Sequence, residues 1–295
     1  MSTMIRLFSI ILISYYLQTT MLATDFLSQN VSATSTALGQ ADVSLANRAD
    51  GMHSNPAGLS RIHYDQALST ISFHELETDY YGMHYVKKLD DLHIGFGYIH
   101  ANVSGINIVA DTNGDGIFEI LGQNRYTGDG YVLAFAKAVN HNIHIGTLLK
   151  KIHQNLIGTQ STGYGIDLGI QLVSPTNRYT LGIAIQDVHN TKIKWSNGTT
   201  EIIPRTYQVG WSGWFLNNRL LLSNSIKRRL TTTVHTGIQY NIHPLLPLRF
   251  GISNLEMSSG FGLTLSPYTI NFSYTQSNRL FTETTYKVSF GMNIN

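Results

Sequence analysis

Asp111, Asn113 and Asp115 stand at alternate positions of the segment Asp111-Thr112-Asn113-Gly114-Asp115-Gly116-Ile117-Phe118-Glu119, with a glycine at the sixth place and Glu119 closing the run. Alternate oxygens around a glycine bend let a chain wrap a hard cation, so Ca2+ is the chemistry this spacing suggests. The twelfth position of a calcium loop asks for glutamate and holds Gly122 here. A polar hairpin tip built on Asn-Gly and Asp-Gly turns accounts for the same residues, and both readings stay open. No other cofactor is expected. The run Asn55-Pro56-Ala57-Gly58 also stands out. It suits either a turn that gates a lumen or a structural turn closing a short helix, because proline and glycine each fix unusual backbone angles.

The remaining candidates for chemistry dissolve on inspection. There are 12 histidines, but His141 and His144 would share a face only on a helix, and no His-Glu-x-x-His occurs. They read as solvated lumen or loop histidines. The chain has no cysteine, which removes thiolate metal sites and thiol catalysis. No Gly-x-Ser-x-Gly elbow is present, and Gly95-Phe96-Gly97 and Gly163-Tyr164-Gly165 lack the dinucleotide-binding spacing. Lys227-Arg228-Arg229 falls at a strand end, where it meets lipid head groups or water. A net charge of +2 gives no reason to expect nucleic acid. An enzyme is therefore not expected.

The elements behind these residues are legible in the composition. Charged residues make up 13% of the 295, against roughly 25% in an ordinary soluble domain. Mean hydropathy is nonetheless near zero, at −0.05. Polarity comes from Gly, Ser, Thr, Asn and Gln, and the 16 tyrosines and 26 glycines suit strands better than helices. Residues 1–23 read as a signal peptide, with Arg6, an apolar stretch over 7–17 and a cleavage point after Ala23. Gln18, Thr19 and Thr20 stop the apolar run well short of the ~20 residues a spanning helix needs.

Alternation is the main signal. Tyr164, Ile166, Leu168, Ile170 and Leu172 fall on one strand face and Gly163, Gly165, Asp167, Gly169 and Gln171 on the other. The pattern recurs in 92–98, 179–185, 234–242, 270–274 and 286–294. A soluble sandwich would put Lys, Glu and Thr on the polar face. Here that face is small and uncharged, as in a membrane barrel whose apolar face meets lipid. Tyr164, Tyr179, Tyr207, Tyr268 and Tyr286 stand at strand ends, where interfacial girdles form. The expected fold is all-β, a single-chain transmembrane β-barrel of about 14 antiparallel strands, an even number as is usual for bacterial barrels. The strands are placed near 66–75, 79–87, 91–108, 126–139, 142–156, 160–173, 178–188, 205–216, 219–228, 231–242, 247–254, 257–265, 268–277 and 284–295, with long loops over about 109–125 and 189–204. The division expected is a signal peptide over 1–23, an N-terminal plug or periplasmic segment over 24–65, and the barrel over 66–295, in the bacterial outer membrane.

Ala37-Leu38-Gly39-Gln40-Ala41, Val43-Ser44-Leu45-Ala46 and Asn55-Pro56-Ala57-Gly58-Leu59 together resemble the N-terminal signature of the PorV/PorQ family, within the FadL-like group of outer-membrane barrels. Gly163-Tyr164-Gly165-Ile166-Asp167-Leu168-Gly169 and Leu181–Val188 are similar to its mid-barrel strands. The resemblance implies a fourteen-stranded barrel with the N-terminal segment folded into its lumen. It also implies one of two roles. PorV-type relatives bind type IX secretion proteins or secreted cargo, and FadL-type relatives import small hydrophobic molecules. The short chain and compact loops favour the partner-binding role. The inward faces look polar or small apart from Ile99, Val132 and Trp214, so a hydrophobic channel is the alternative. Outer-membrane lipid is a partner under either.

Overall fold

The structure, a computed structural model, describes residues 26–28, 31–74, 78–112, 114–254, 256–277 and 283–294. The expected signal peptide over 1–23 lies outside the described residues. The first half of the wall comprises β1 (Asp65–His74), β2 (Thr78–Leu89), β3 (Leu92–Ala110), β4 (Glu119–Ala138), β5 (Ile143–Leu156), β6 (Thr159–Val173) and β7 (Tyr179–Gln186). A side hairpin follows, β8 (Thr191–Trp195) and β9 (Thr200–Ile203). The second half comprises β10 (Thr206–Phe215), β11 (Leu220–Arg228), β12 (Thr232–His243), β13 (Leu246–Ser253), β14 (Glu256–Leu265), β15 (Tyr268–Ser277) and β16 (Glu283–Ile294).

Each strand pairs antiparallel with its neighbour, β1 pairs with β16, and β5 pairs with β6, so the sheet closes on itself into a barrel of 14 strands. Closure matters in hydrocarbon because no water is there to satisfy a free strand edge. The register puts the two sequence faces where alternation assigns them. On β6, Leu168 is 44% exposed on the outer surface while Asp167 and Gln171 are 4% and 0% exposed inside. Ile145 and Leu149 on β5, Leu181 and Ile183 on β7, and Phe250 and Ile252 on β13 extend the same outer belt. The turns at one end are short. They use Asn177, Asn217 and Asn218 at positive φ, where asparagine is better tolerated than most residues. Short turns mark the periplasmic end of such barrels.

The structure corrects the two long loops. The span 109–125 is mostly strand, since β3 runs to Ala110 and β4 starts at Glu119, making a hairpin that outreaches its neighbours. Its alternation is broken by register shifts between Val103 and Ile106 and between Ile108 and Val109, with Gly105 at a φ of 70°. The span 189–204 holds β8 and β9. β7 pairs only with Leu168–Val173 of β6, and β8 takes over at Ser161–Tyr164.

Residues 31–62 occupy the lumen. They form a short helix, α1 (Ala33–Ala37), and 3-10 turns at Ala49–His53 and Pro56–Arg61, in which α1, Asn55 and Leu59 are buried.

Candidate functional site

The lumen segment is locally well specified. The Ser32 side chain accepts from the Ser35 amide and caps α1. Gly39 and Gln40, at φ of 61° and 63°, then reverse the chain. Arg48 and Asp50 pair at 3.1 Å, and Ser54 donates to Asp42 at 2.6 Å. Asn55 caps the turn Pro56–Arg61 by accepting from the Ala57 amide, with proline at the first position, where a missing N–H costs nothing.

Asn55 also binds the wall. Its side-chain amide donates to the carbonyls of Val43 (2.9 Å), Ile170 (3.1 Å) and Ile183 (3.3 Å), so one fully buried side chain joins the plug to β6 and β7. Gly169 makes this possible. A Cβ there would lie 2.0 Å from Asn55 Oδ1. The same close approach repeats at Gly146 against Pro56, Gly182 against Val43 and Gly251 against Gly39. The four residues of the Asn-Pro-Ala-Gly run thus sit together in the lumen segment, and Gly58 packs on the Ala46 backbone.

Four wall histidines contact the N-terminal segment, where the sequence alone suggests solvated ones. His84 on β2 meets His53 with Nε2 atoms 2.9 Å apart. His93 on β3 lies 2.9 Å from the Ile62 carbonyl through Nε2, and His235 on β12 lies 2.9 Å from the Gly39 carbonyl through Nδ1. His144 on β5 lies 2.8 Å from the Ser60 hydroxyl. Burial, then the nearby His84 and Lys150, holds the His53 imidazole well below its ordinary value, so it is neutral at neutral pH. Sequence spacing could not reveal these contacts, because each partner is 31 or more residues away.

Beside His53 a small cavity is lined by Leu27, Ile152, Ile203, Gln186, Lys227 and Arg229, together with an ion cluster. There the Lys150 ammonium bridges Asp167 at 2.9 Å and Asp187 at 2.8 Å, and Thr191 donates to Asp187 at 2.6 Å. Two carboxylates on one buried ammonium satisfy each other in a setting where an isolated charge would be costly. Asp187, at a φ of 54°, is where the chain leaves β7 for the side hairpin. The cluster therefore fixes that departure.

Toward the end opposite the short turns, the lumen wall is apolar. Phe26, Val31, Ile99, Ile152, Ile193 and Ile203 are buried together, with Leu27, Val103 and Ile106 packed against them. The sequence reading named Ile99 and Val132 as apolar inward residues, and both are buried; Trp214 is half-buried. It missed Ile193 and Ile203 because they belong to the side hairpin.

The loop 111–119 places its acids on its own backbone. The Asp111 carboxylate accepts from the amides of Gly114 (2.6 Å) and Gly116 (3.0 Å), Asp115 accepts from Ile117 (2.7 Å), and Thr112 donates to Glu119. Asn113 lies outside the described residues. Among the described residues no group of three or more His, Asp or Glu gathers as a metal would need.

No family model matches the chain, and no curated protein matches it in sequence. Solved structures do. A Pseudomonas aeruginosa FadL homologue aligns over 88% of this chain and 98% of its own, with a TM-score of 0.62 at 12% identity. The fold is FadL-like. The Pseudomonas putida toluene transporter TodX aligns over 81% of this chain and 91% of its own, with a TM-score of 0.59 at 13% identity. A variant of the TodX monoaromatic hydrocarbon channel gives 0.61 at 15% identity over 84% and 94%. Identities this low carry the fold and nothing finer. With its lipid-facing belt and closed wall, the chain is a FadL-like β-barrel of the bacterial outer membrane. The PorV/PorQ resemblance is not among these likenesses.

Proposed function

We propose that this FadL-like barrel is a channel for small hydrophobic molecules, closed in this state by its own N-terminal segment. The observation that carries the reading is the apolar cluster of Phe26, Ile99, Ile152, Ile193 and Ile203 on the lumen side, at the end away from the short turns. Apolar lining in a membrane protein's interior desolvates a hydrophobic solute without demanding hydrogen bonds from it. The neighbours' descriptions, a toluene transporter and a monoaromatic hydrocarbon channel, point the same way. Asn55, Pro56, Ala57 and Gly58 are assigned as the anchor of the closing plug, on the strength of the Asn55 contacts with β6 and β7. The test is uptake of radiolabelled toluene and octanoate by cells with and without the gene. Faster uptake in cells carrying it supports the channel, and equal rates refute it.

A second reading, partner binding of the PorV/PorQ kind, is favoured by one feature. The tip of the β3–β4 hairpin exposes Ile117, Phe118, Ile120 and Leu121, with Phe118 66% exposed. An apolar tip of that kind suits a protein partner such as a secretion component or cargo. Pull-down from outer membranes with and without residues 111–118 tests it, and identical partner sets would refute it. Calcium at Asp111, Asp115 and Glu119 would have to displace the backbone amides that donate to Asp111 and Asp115 and the Thr112 hydroxyl that donates to Glu119. Calorimetric titration with CaCl2 decides it, heat release supporting the site and a flat trace refuting it.

A further inference from the structure

On the outer surface, one register row crosses five strands as Tyr98, Tyr131, Lys151, Tyr164 and Lys192, each directly opposite the next. Tyr131 and Tyr164 are 50% and 69% exposed, and Lys151 and Lys192 are exposed beside them. Lys194, two residues further along β8, is exposed on the same face. Beyond the hairpin, Tyr207 lies opposite exposed Arg228. The Arg205 guanidinium stands 5.9 Å over the Tyr207 ring and donates to its hydroxyl at 3.0 Å.

At Lys151, Tyr164 and Lys192 the band lies nearer the end opposite the short turns, hence at the external interface. Directly below it on β6 runs the lipid belt of Ile166, Leu168, Ile170 and Leu172. Lysines at that level snorkel to the head groups. The carboxylate in the adjoining row, Asp129, is taken up by Tyr98 at 2.7 Å and His100 at 2.9 Å, which leaves the lysines without a competing acid there.

We propose that this band is a binding site for a phosphorylated glycolipid of the outer leaflet. Cations alone would suit any anionic lipid. Here exposed tyrosine rings alternate with the cations, and aromatic faces pack on sugar rings as phospholipid head groups do not require. Lys151 and Lys192 are two strands apart, roughly 9–10 Å at the usual strand spacing. That separation suits two phosphates carried on one disaccharide. The proposal concerns the outside of the wall and does not depend on what passes through the lumen.

The test uses the full mature chain folded in detergent, titrated with bisphosphorylated lipid A and followed by native mass spectrometry. The variant Lys151→Gln/Lys192→Gln/Lys194→Gln/Arg228→Gln is expected to bind at least about ten-fold more weakly, since each basic residue near an anionic surface contributes a factor of several. The triple variant Lys151→Arg/Lys192→Arg/Lys194→Arg is expected to bind like the parent. Heat-modifiable mobility reports folding of each. If the quadruple variant does not fold, Lys192→Gln/Lys194→Gln, on the side hairpin, serves instead with a loss of at least about five-fold. Undiminished binding by the neutral variants overturns the proposal. So does phosphatidylglycerol binding the parent as tightly as lipid A, which would show attraction to any anionic lipid.

Discussion

Single residues hold the plug, and their removal has readable effects. Asn55→Ala deletes three donor contacts and one cap, while the carbonyls of Ile170 and Ile183 still have their strand partners. A loss of about 1–3 kcal/mol in plug seating follows. Planar-bilayer recordings should show more frequent openings, and unchanged conductance would contradict the anchor role. His53 gives a pH dependence of definite sign. Its seated pKa lies below the free value of 6.5, so seating is at full strength above pH 6.5 and weakens as pH falls from there. The groups facing it are His84 from β2, Lys150 from β5 and the Gln186 amide from β7, which donates to the His53 carbonyl. Openings should rise on acidification in the parent and rise less in His53→Gln, since His84, His93, His144 and His235 also hold the segment. Leu168→Arg places a charge in the lipid belt and should cost about 2–4 kcal/mol at mid-bilayer, measured by reversible unfolding in vesicles. Leu168 and its outward neighbours were legible because alternation alone places them. His84, His93, His144 and His235 were not, since their partners sit in a segment that does not alternate at all.

At the level of elements, the strands were legible wherever neighbouring residues differ in polarity, which is why β6, β12 and β16 fall within two residues of expectation. The poorly alternating segments at 219–228 and 257–265 are strands as well, carried by pairing on both sides. β3 is also within two residues of expectation, but β4 starts seven residues before its expected place, because bulges in the β3–β4 pairing shift the apolar phase and turn Ile106 toward the lumen cluster. β8 and β9 are too brief for a period to show. Their packing gives a prediction: replacing 191–203 by a short Gly-Ser turn removes Ile193 and Ile203 from the lumen cluster and Thr191 from Asp187. Transport of a hydrophobic probe should fall while heat-modifiable mobility persists, and loss of the mobility shift would show that the hairpin is needed by the wall itself. Gly169→Val tests the fit of plug to wall, because its Cβ would meet Asn55. It should loosen the lumen segment as Asn55→Ala is expected to, with more frequent openings in planar bilayers.

For the molecule as a whole, the all-β architecture and the apolar outer face could be read from the sequence, since a sparsely charged chain whose strands alternate in polarity has few other ways to live in lipid. The packing of the first described residues against the last was beyond reach. α1 lies against β13, β14, β15 and β16, and the Ala33 amide donates to Ser289, 256 residues away. Contacts of such separation are slow to form, because the intervening chain must be ordered first. Until β16 closes on β1, the seat of α1 lacks the Ser289 hydroxyl that the Ala33 amide donates to and that Thr70 meets from β1. The last strand thus completes both the wall and the seat of α1, so a barrel that lacks it holds its first helix less firmly.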